Sequence, residues 1–217
     1  MSPGWPTTIA EARALQEQLR GRVVTTGALD RPGLIAGIDA HVAPATGLTW
    51  AAIAMVAADG LELVESALAA VPTGFPYVPG YLSFRETPAA LAALALLKRP
   101  PDLLMIDGQG IAHPRRLGIA AHLGVITDLP AIGVAKSRLV GEHEPPGSAR
   151  GSRTVLTHKG ETIGAVLRSR DGGSPLYVSI GHRVSLEQAV GLVLATLTRY
   201  RLPEPIRLAD RLSRMHP

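Results

Sequence analysis

Apolar and polar positions along this chain separate short buried strands from helices with one wet face. Thr8-Ile9-Ala10-Glu11 is a capping box, and helical spacing follows it to about residue 20. The apolar run Leu34-Ile35-Ala36-Gly37-Ile38 ends in Asp39. Residues 48–58 read as a second strand, Asp59-Gly60 as a tight hairpin turn, and 61–70 as a third strand, an antiparallel meander. Turn formers crowd residues 71–85, and a helix is expected over 86–97, opening at Glu86, where an acid suits the positive end of the dipole. Leu103-Leu104-Met105-Ile106 then runs into Asp107-Gly108, the pattern of a buried strand that delivers a carboxylate to its C-terminal end. In open α/β sheets that edge is where ligands and catalytic groups collect.

Beyond it the spacing predicts a short helix over 118–124 and a strand over 131–135, which ends in Lys136-Ser137-Arg138. A loop over 141–151 precedes a hairpin of 153–158 and 162–167 joined by Lys159-Gly160. After the turn Asp171-Gly172-Gly173, a strand over 176–180 reaches Gly181-His182. Ser185-Leu186-Glu187-Gln188 is a second capping box, opening a long helix to about residue 200. Arg201-Leu202-Pro203-Glu204-Pro205 breaks that helix, and a short basic tail is expected after it.

Composition narrows the class. A chain of 217 residues suggests one domain, 1–217, with enough length for a proper core. No apolar window has the length of a membrane span, and Met1-Ser2-Pro3-Gly4-Trp5-Pro6 lacks the pattern of an export signal, so a cytoplasmic location is expected. With no cysteine, any metal must be held by oxygen or imidazole ligands. The net charge is only +4, but between residues 115 and 170 basic groups outnumber acidic ones by about two to one. Arginines continue from Arg183 to Arg214, a distribution that suits a polyanion such as nucleic acid.

The order of elements can place the first strand beside the strand 103–106, which would bring Asp39 and Asp107 together. Neighbouring carboxylates repel unless a cation sits between them, which points to a hard divalent ion, magnesium above all. Glu86 is the candidate third acid. His182 could orient water, bind a second ion or move a proton, or it could simply be structural. Phe75, Tyr77, Tyr81 and Phe84 put four of the eight aromatic residues within ten positions of one proline-stiffened loop. Such rings can stack on or wedge between bases, or they can cover an edge of the core.

These residues resemble the endonuclease V family of deoxyinosine-directed repair nucleases. The matching stretches include Gly37-Ile38-Asp39, the run from Pro76 through Tyr77 and Gly80 to Glu86, and the run from Ile106 through Asp107 to Arg115. Gly118-Ile119-Ala120-Ala121-His122-Leu123-Gly124, Ile132-Gly133-Val134-Ala135-Lys136, Gly181-His182-Arg183 and Tyr200-Arg201-Leu202-Pro203-Glu204-Pro205 follow in the family's order. The resemblance implies a ribonuclease H-like α/β fold: a mixed sheet of three antiparallel strands followed by parallel ones, flanked by helices, with added C-terminal strands and a helix. It implies magnesium-dependent hydrolysis, with manganese as a substitute ion, of the second phosphodiester bond 3′ to deoxyinosine. A 3′-hydroxyl and a 5′-phosphate would be left. DNA carrying deoxyinosine or other deaminated bases is the implied partner, inosine-containing RNA stays open as another, and a monomer is the default.

Carried over, Asp39 and Asp107 would be metal ligands, Glu86 the third catalytic carboxylate and His182 the catalytic-site histidine. Lys136 would contact the phosphate near the cut, and Tyr77 would be the wedge that fills the gap left by the displaced base. Gly80, Leu82, Gly108 and Ile119 would line the hypoxanthine pocket through their backbones, with His113 beside them. Hypoxanthine is guanine without its amino group, so a close-fitting pocket can exclude the larger base. The chain departs from the family's usual residues at Ala40, His41, Gln109 and Ala121, none of which removes a charged group. Two other readings remain: a non-catalytic nucleic-acid-binding protein on the same fold, and a magnesium phosphohydrolase acting on free nucleotides. All three acids are present, which counts against the first; the aromatic loop and basic half would have no task in the second.

Overall fold

A computed structural model of the chain describes residues 5–27, 29 and 31–215, so the first four residues of the segment read for an export signal lie outside it. Strands β1 (Leu34–Ala43), β2 (Leu48–Ala57) and β3 (Leu63–Pro72) form the expected antiparallel meander. The turn before β3 is wider than Asp59-Gly60, because Leu61 as well as Gly60 has positive φ and the chain re-enters the ladder only where Ala57 N–H donates to Glu62 O. Strand β4 (Leu103–Ile106) runs parallel to β1, with Ile38 opposite Ile106, and β5 (Ala131–Ala135) runs parallel to β4. Strands β6 (Arg153–His158), β7 (Glu161–Leu167) and β8 (Leu176–His182) add antiparallel pairs on the far side. The sheet order is β3-β2-β1-β4-β5-β8-β7-β6, the mixed sheet that the ribonuclease H-like expectation calls for.

Both faces of the sheet are covered, which is why β4 and β5 are apolar at every position rather than at alternate ones. Leu104 and Ile106 join the apolar cluster under α2 (Leu82–Leu94) and α3 (Ile119–Thr127), where Ala89, Ala90, Ala93 and Leu123 sit. Leu103 and Met105 point to the other side, against Val190 and Val193 of α4 (Leu186–Ala195) and Ile206 of α5 (Glu204–Ser213). The amino-terminal helix α1 (Ile9–Arg20) keeps its capping box and packs against α3. Among the described residues no helix is long and apolar enough to cross a membrane.

Helix boundaries differ from the sequence reading in several places, α3 running on to Thr127 and α2 ending at Leu94, and three differences bear on the site. Helix α2 begins at Leu82, four residues before Glu86, so Glu86 lies in its second turn and not at the dipole's positive end. Pro88, which looks like a first-turn proline, is inside the helix; its missing N–H leaves the Phe84 carbonyl free, and Trp5 Nε1 donates to that oxygen at 3.0 Å. Helix α4 stops at Ala195, where the Thr196 hydroxyl folds back onto the Leu192 and Val193 carbonyls.

The third difference matters most: the expected basic tail is α5. Pro203 at the N-cap and Pro205 in the first turn preset helical entry, and Pro205, Ile206, Ala209 and Ser213 face inward. The helix lies on β1 and β2. It can come this close because residue 37 is glycine: a Cβ there would stand 2.1 Å from the Pro205 carbonyl. Gly37→Ala is therefore expected to push α5 off the sheet. The cost is on the order of 3 kcal/mol in denaturant unfolding, with cleavage activity falling alongside.

Candidate active site

Pairing of Ile38 with Ile106 carries Asp39 and Asp107 out of neighbouring parallel strands at the same level. Helix α5 supplies a third acid, Asp210, and each of the three offers an oxygen within 4.8 Å of the others. Burial pushes the Asp39 carboxyl above its ordinary pKa, the Ser213 hydroxyl lowers it, and the Asp107 charge raises it again. Glu86, only 9% exposed, is not one of this close trio but feels it: burial first, then Asp39 and Asp107, raise its pKa to about 8. For Asp210 burial works upward, yet hydrogen bonds from Arg214 and Lys136 hold its pKa below the usual value.

Lys136, just past the end of β5, bridges the acids. Its ammonium stands 2.6 Å from Asp107 and 3.1 Å from Asp210, and Arg201 donates to its carbonyl at 2.8 Å. These contacts raise its pKa, outweighing the downward pull of burial. A set of hard oxygen donors, in which burial first and neighbouring charge second raise the proton affinity of Asp39 and Glu86, fits a divalent cation of the magnesium type.

Beside the acids lies a cleft of about 440 Å³. Asp107 and Lys136 form one wall; Tyr77, Gly80, Leu82, Gly108, His113 and Ile119 form much of the rest. Gly80 shapes the entry. Its φ of +81° favours glycine, and its carbonyl accepts from Gln16 Nε2 at 3.0 Å, His113 Nε2 at 3.0 Å and Arg115 Nη2 at 2.7 Å. Burial, with Arg115 nearby, lowers the His113 pKa to about 4, so the ring is neutral. Its Nε2–H then donates to Gly80 while Nδ1 accepts from the Arg115 N–H.

The aromatic loop does not hold out four rings. Phe75, Tyr81 and Phe84 are buried and pack on one another, with Trp5 against Phe84. Burying three rings fixes the loop, and only Tyr77 projects, 70% exposed on the rim of the cleft with the Arg85 guanidinium 5.7 Å from its ring.

A sequence model of the family described as Endonuclease V matches residues 17–211 of this chain. The chain belongs to the endonuclease V family. It is 57% identical over 209 residues to Endonuclease V of Azotobacter vinelandii, an alignment covering 96% of this chain and 95% of the relative. Endonuclease V of Streptomyces avermitilis superposes with a TM-score of 0.94 at 45% identity, covering 99% of this chain and 95% of that one. Ciona intestinalis Endonuclease V, solved with a 23mer DNA containing an inosine followed by a ribo-adenosine, superposes with a TM-score of 0.82 at 28% identity, covering 95% of each chain.

Within this endonuclease V fold, His182 is not where the sequence reading put it. Strand β8 runs antiparallel to β5, so its C-terminal residue pairs with Ala131 at the start of β5, while Lys136 follows that strand's other end. His182 is buried; its Nδ1 accepts from Val24 N–H at 3.2 Å and its Nε2 lies 3.3 Å from Asp128. It pins the segment after α1 rather than serving the acids. Of the departures, Gln109 donates to Ser137 O at 2.9 Å across the cleft and Ala121 is buried against Leu117 and Val125. Ala40 and His41 follow Asp39 in β1.

The carboxylate cluster leaves a signature in the metal-free protein. Folded Glu86 keeps its proton to about pH 8, whereas an ordinary glutamate loses it near 4.5, so the folded state binds more protons in between and stability falls as pH rises. Buried His113 and His122 act oppositely, and their influence fades only over the pH unit above 6.5, where ordinary histidines finish losing their protons. From about pH 7 to 8, melting in a chelator should therefore show declining stability, by less than the ~1.4 kcal/mol per pH unit of one full proton. Glu86→Gln should flatten that slope.

Proposed function

We propose that this chain is a repair endonuclease that nicks DNA at deoxyinosine, cutting the second phosphodiester bond on the 3′ side and leaving a 3′-hydroxyl and a 5′-phosphate. The observation that carries the reading is one juxtaposition: a trio of carboxylates of which Asp107, with Lys136, walls a cleft whose rim holds an exposed tyrosine. The chain would work as a single-domain monomer in the cytoplasm, in keeping with the absence of cysteine.

Asp39, Asp107 and Asp210 would hold the divalent ion, magnesium or manganese in its place. When bound there, it supplies charge neutralisation at the scissile phosphate and a more acidic water. The chain's own groups do the rest. Tyr77 fills the gap left by the everted base, and the cleft lined by Gly80, Leu82, Gly108, His113 and Ile119 receives the hypoxanthine, where a close fit would exclude guanine's extra amino group. Lys136 turns from the acids to the phosphate. Glu86, whose buried carboxyl has a raised affinity for protons, takes one from the attacking water. Water oxygen bonds to phosphorus as the bond to the 3′ oxygen breaks, and that oxygen takes a proton from solvent to leave as the 3′-hydroxyl.

The test is a labelled duplex with one deoxyinosine, incubated with and without Mg²⁺. A single nick past the lesion that requires the ion is expected; tight binding with no cutting would point instead to a non-catalytic binding protein. Tyr77→Ala should weaken lesion binding about tenfold in a mobility-shift titration, since one stacked base contributes ~1–3 kcal/mol. Its affinity for Mn²⁺ should be unchanged.

A further inference from the structure

We propose that Ser213 is a positioning residue that fixes the Asp39 carboxylate for metal binding, so that one turn of α5 both supplies a ligand and orients another. The proposal rests on the nuclease reading above. Ser213 is buried, and its hydroxyl lies 2.6 Å from Asp39 Oδ2 across 174 positions of sequence. It also lies 3.0 Å from the carbonyl of Asp210, the back-bond that serines in helices commonly make. A hydroxyl has one proton to give, and the shorter contact to the charged acceptor takes it. Oδ2 is then tied from outside the trio, and the carboxylate can no longer rotate freely.

The next residue does the same for Asp210. Arg214 grips that carboxylate with both arms of its guanidinium, Nε at 3.0 Å from Oδ2 and Nη2 at 2.9 Å from Oδ1. Positions 210, 213 and 214 share one helical face, so ligand, orienter and orienter arrive as a rigid unit. Groups that hold ligating carboxylates by hydrogen bonds typically change metal affinity by 10–100-fold when removed. A serine that only closed the end of α5 would change melting and leave affinity alone.

Three variants separate these roles. Ser213→Ala removes the donor. Ser213→Cys keeps nearly the same volume with a weak donor and guards against a fold defect in the alanine variant. Ser213→Thr keeps the hydroxyl. Mn²⁺ binding is read directly by the electron paramagnetic resonance of the free ion, beside melting in a chelator and nicking rate against Mg²⁺ concentration. Expected are an affinity loss of about tenfold in Ser213→Ala and Ser213→Cys, near-normal melting in Ser213→Cys, and restoration in Ser213→Thr. The nicking rate at saturating Mg²⁺ should stay within a few-fold of wild type. Wild-type Mn²⁺ affinity in both Ser213→Ala and Ser213→Cys overturns the proposal. Failure of the wild-type protein to nick deoxyinosine DNA overturns the nuclease reading instead, and it is seen without any variant.

Discussion

Asp107→Asn should abolish nicking of deoxyinosine DNA while leaving lesion binding largely intact. The side chain keeps its size but loses the charge that faces Lys136 at 2.6 Å and that would help hold the cation. Losing a cation's stabilisation of the transition state removes several kcal/mol, on the order of a 10³-fold fall in rate. The base-binding side of the cleft is built by Gly80 and its three donors, none of which is hydrogen-bonded to Asp107, so lesion affinity should change less than threefold. A second effect has the opposite sign. The Asp107 charge raises the proton affinity of both Asp39 and Glu86, so its removal relieves repulsion in the metal-free protein. The variant should melt higher than wild type in a chelator, as expected where a functional site is built at the expense of stability. Nicking within tenfold of wild type would remove Asp107 from the chemistry.

Asp210→Asn is the second large expectation. Asp210 completes the trio, and its carboxylate also receives Lys136 and Arg214. Neutralising it takes one of three candidate ligands away and leaves Lys136 on Asp107 alone. A fall in rate of at least ~10²-fold is expected, with weaker Mn²⁺ binding. Circular dichroism should stay unchanged, because the inward face of α5 is Pro205, Ile206, Ala209 and Ser213 rather than Asp210. Normal cleavage by this variant would return the site to the two-aspartate arrangement read from the sequence.

That arrangement was legible for a simple reason. Leu34–Ile38 and Leu103–Ile106 are apolar runs that each end in an acid, and a buried parallel pair in register must bring those ends together. The extent of β5 and both capping boxes could be read residue by residue, since they depend on local pattern alone. Asp210 was hidden because Pro203 and Pro205 look like breakers, although proline at the start of a helix favours it. Glu86 was placed at a helix start because an acid suits the dipole there, whereas the helix begins at Leu82 and carries Pro88 inside it, with Trp5 donating to the carbonyl that the proline leaves free. His182 failed differently: a glycine-histidine pair at a strand end looks the same whichever way the strand runs, and β8 runs antiparallel. Pattern likewise cannot say which of four neighbouring rings goes inside, a matter settled by packing against Trp5.

Chain order gives the placement of α5 a consequence for synthesis. A nascent polypeptide that has emerged only through His182 contains the sequence of all eight strands and of the cleft lining, but neither Asp210 nor the hydroxyl and guanidinium of the same turn. The acid trio is thus completed only by the last stretch of chain to be made, together with the two groups that hold its carboxylates.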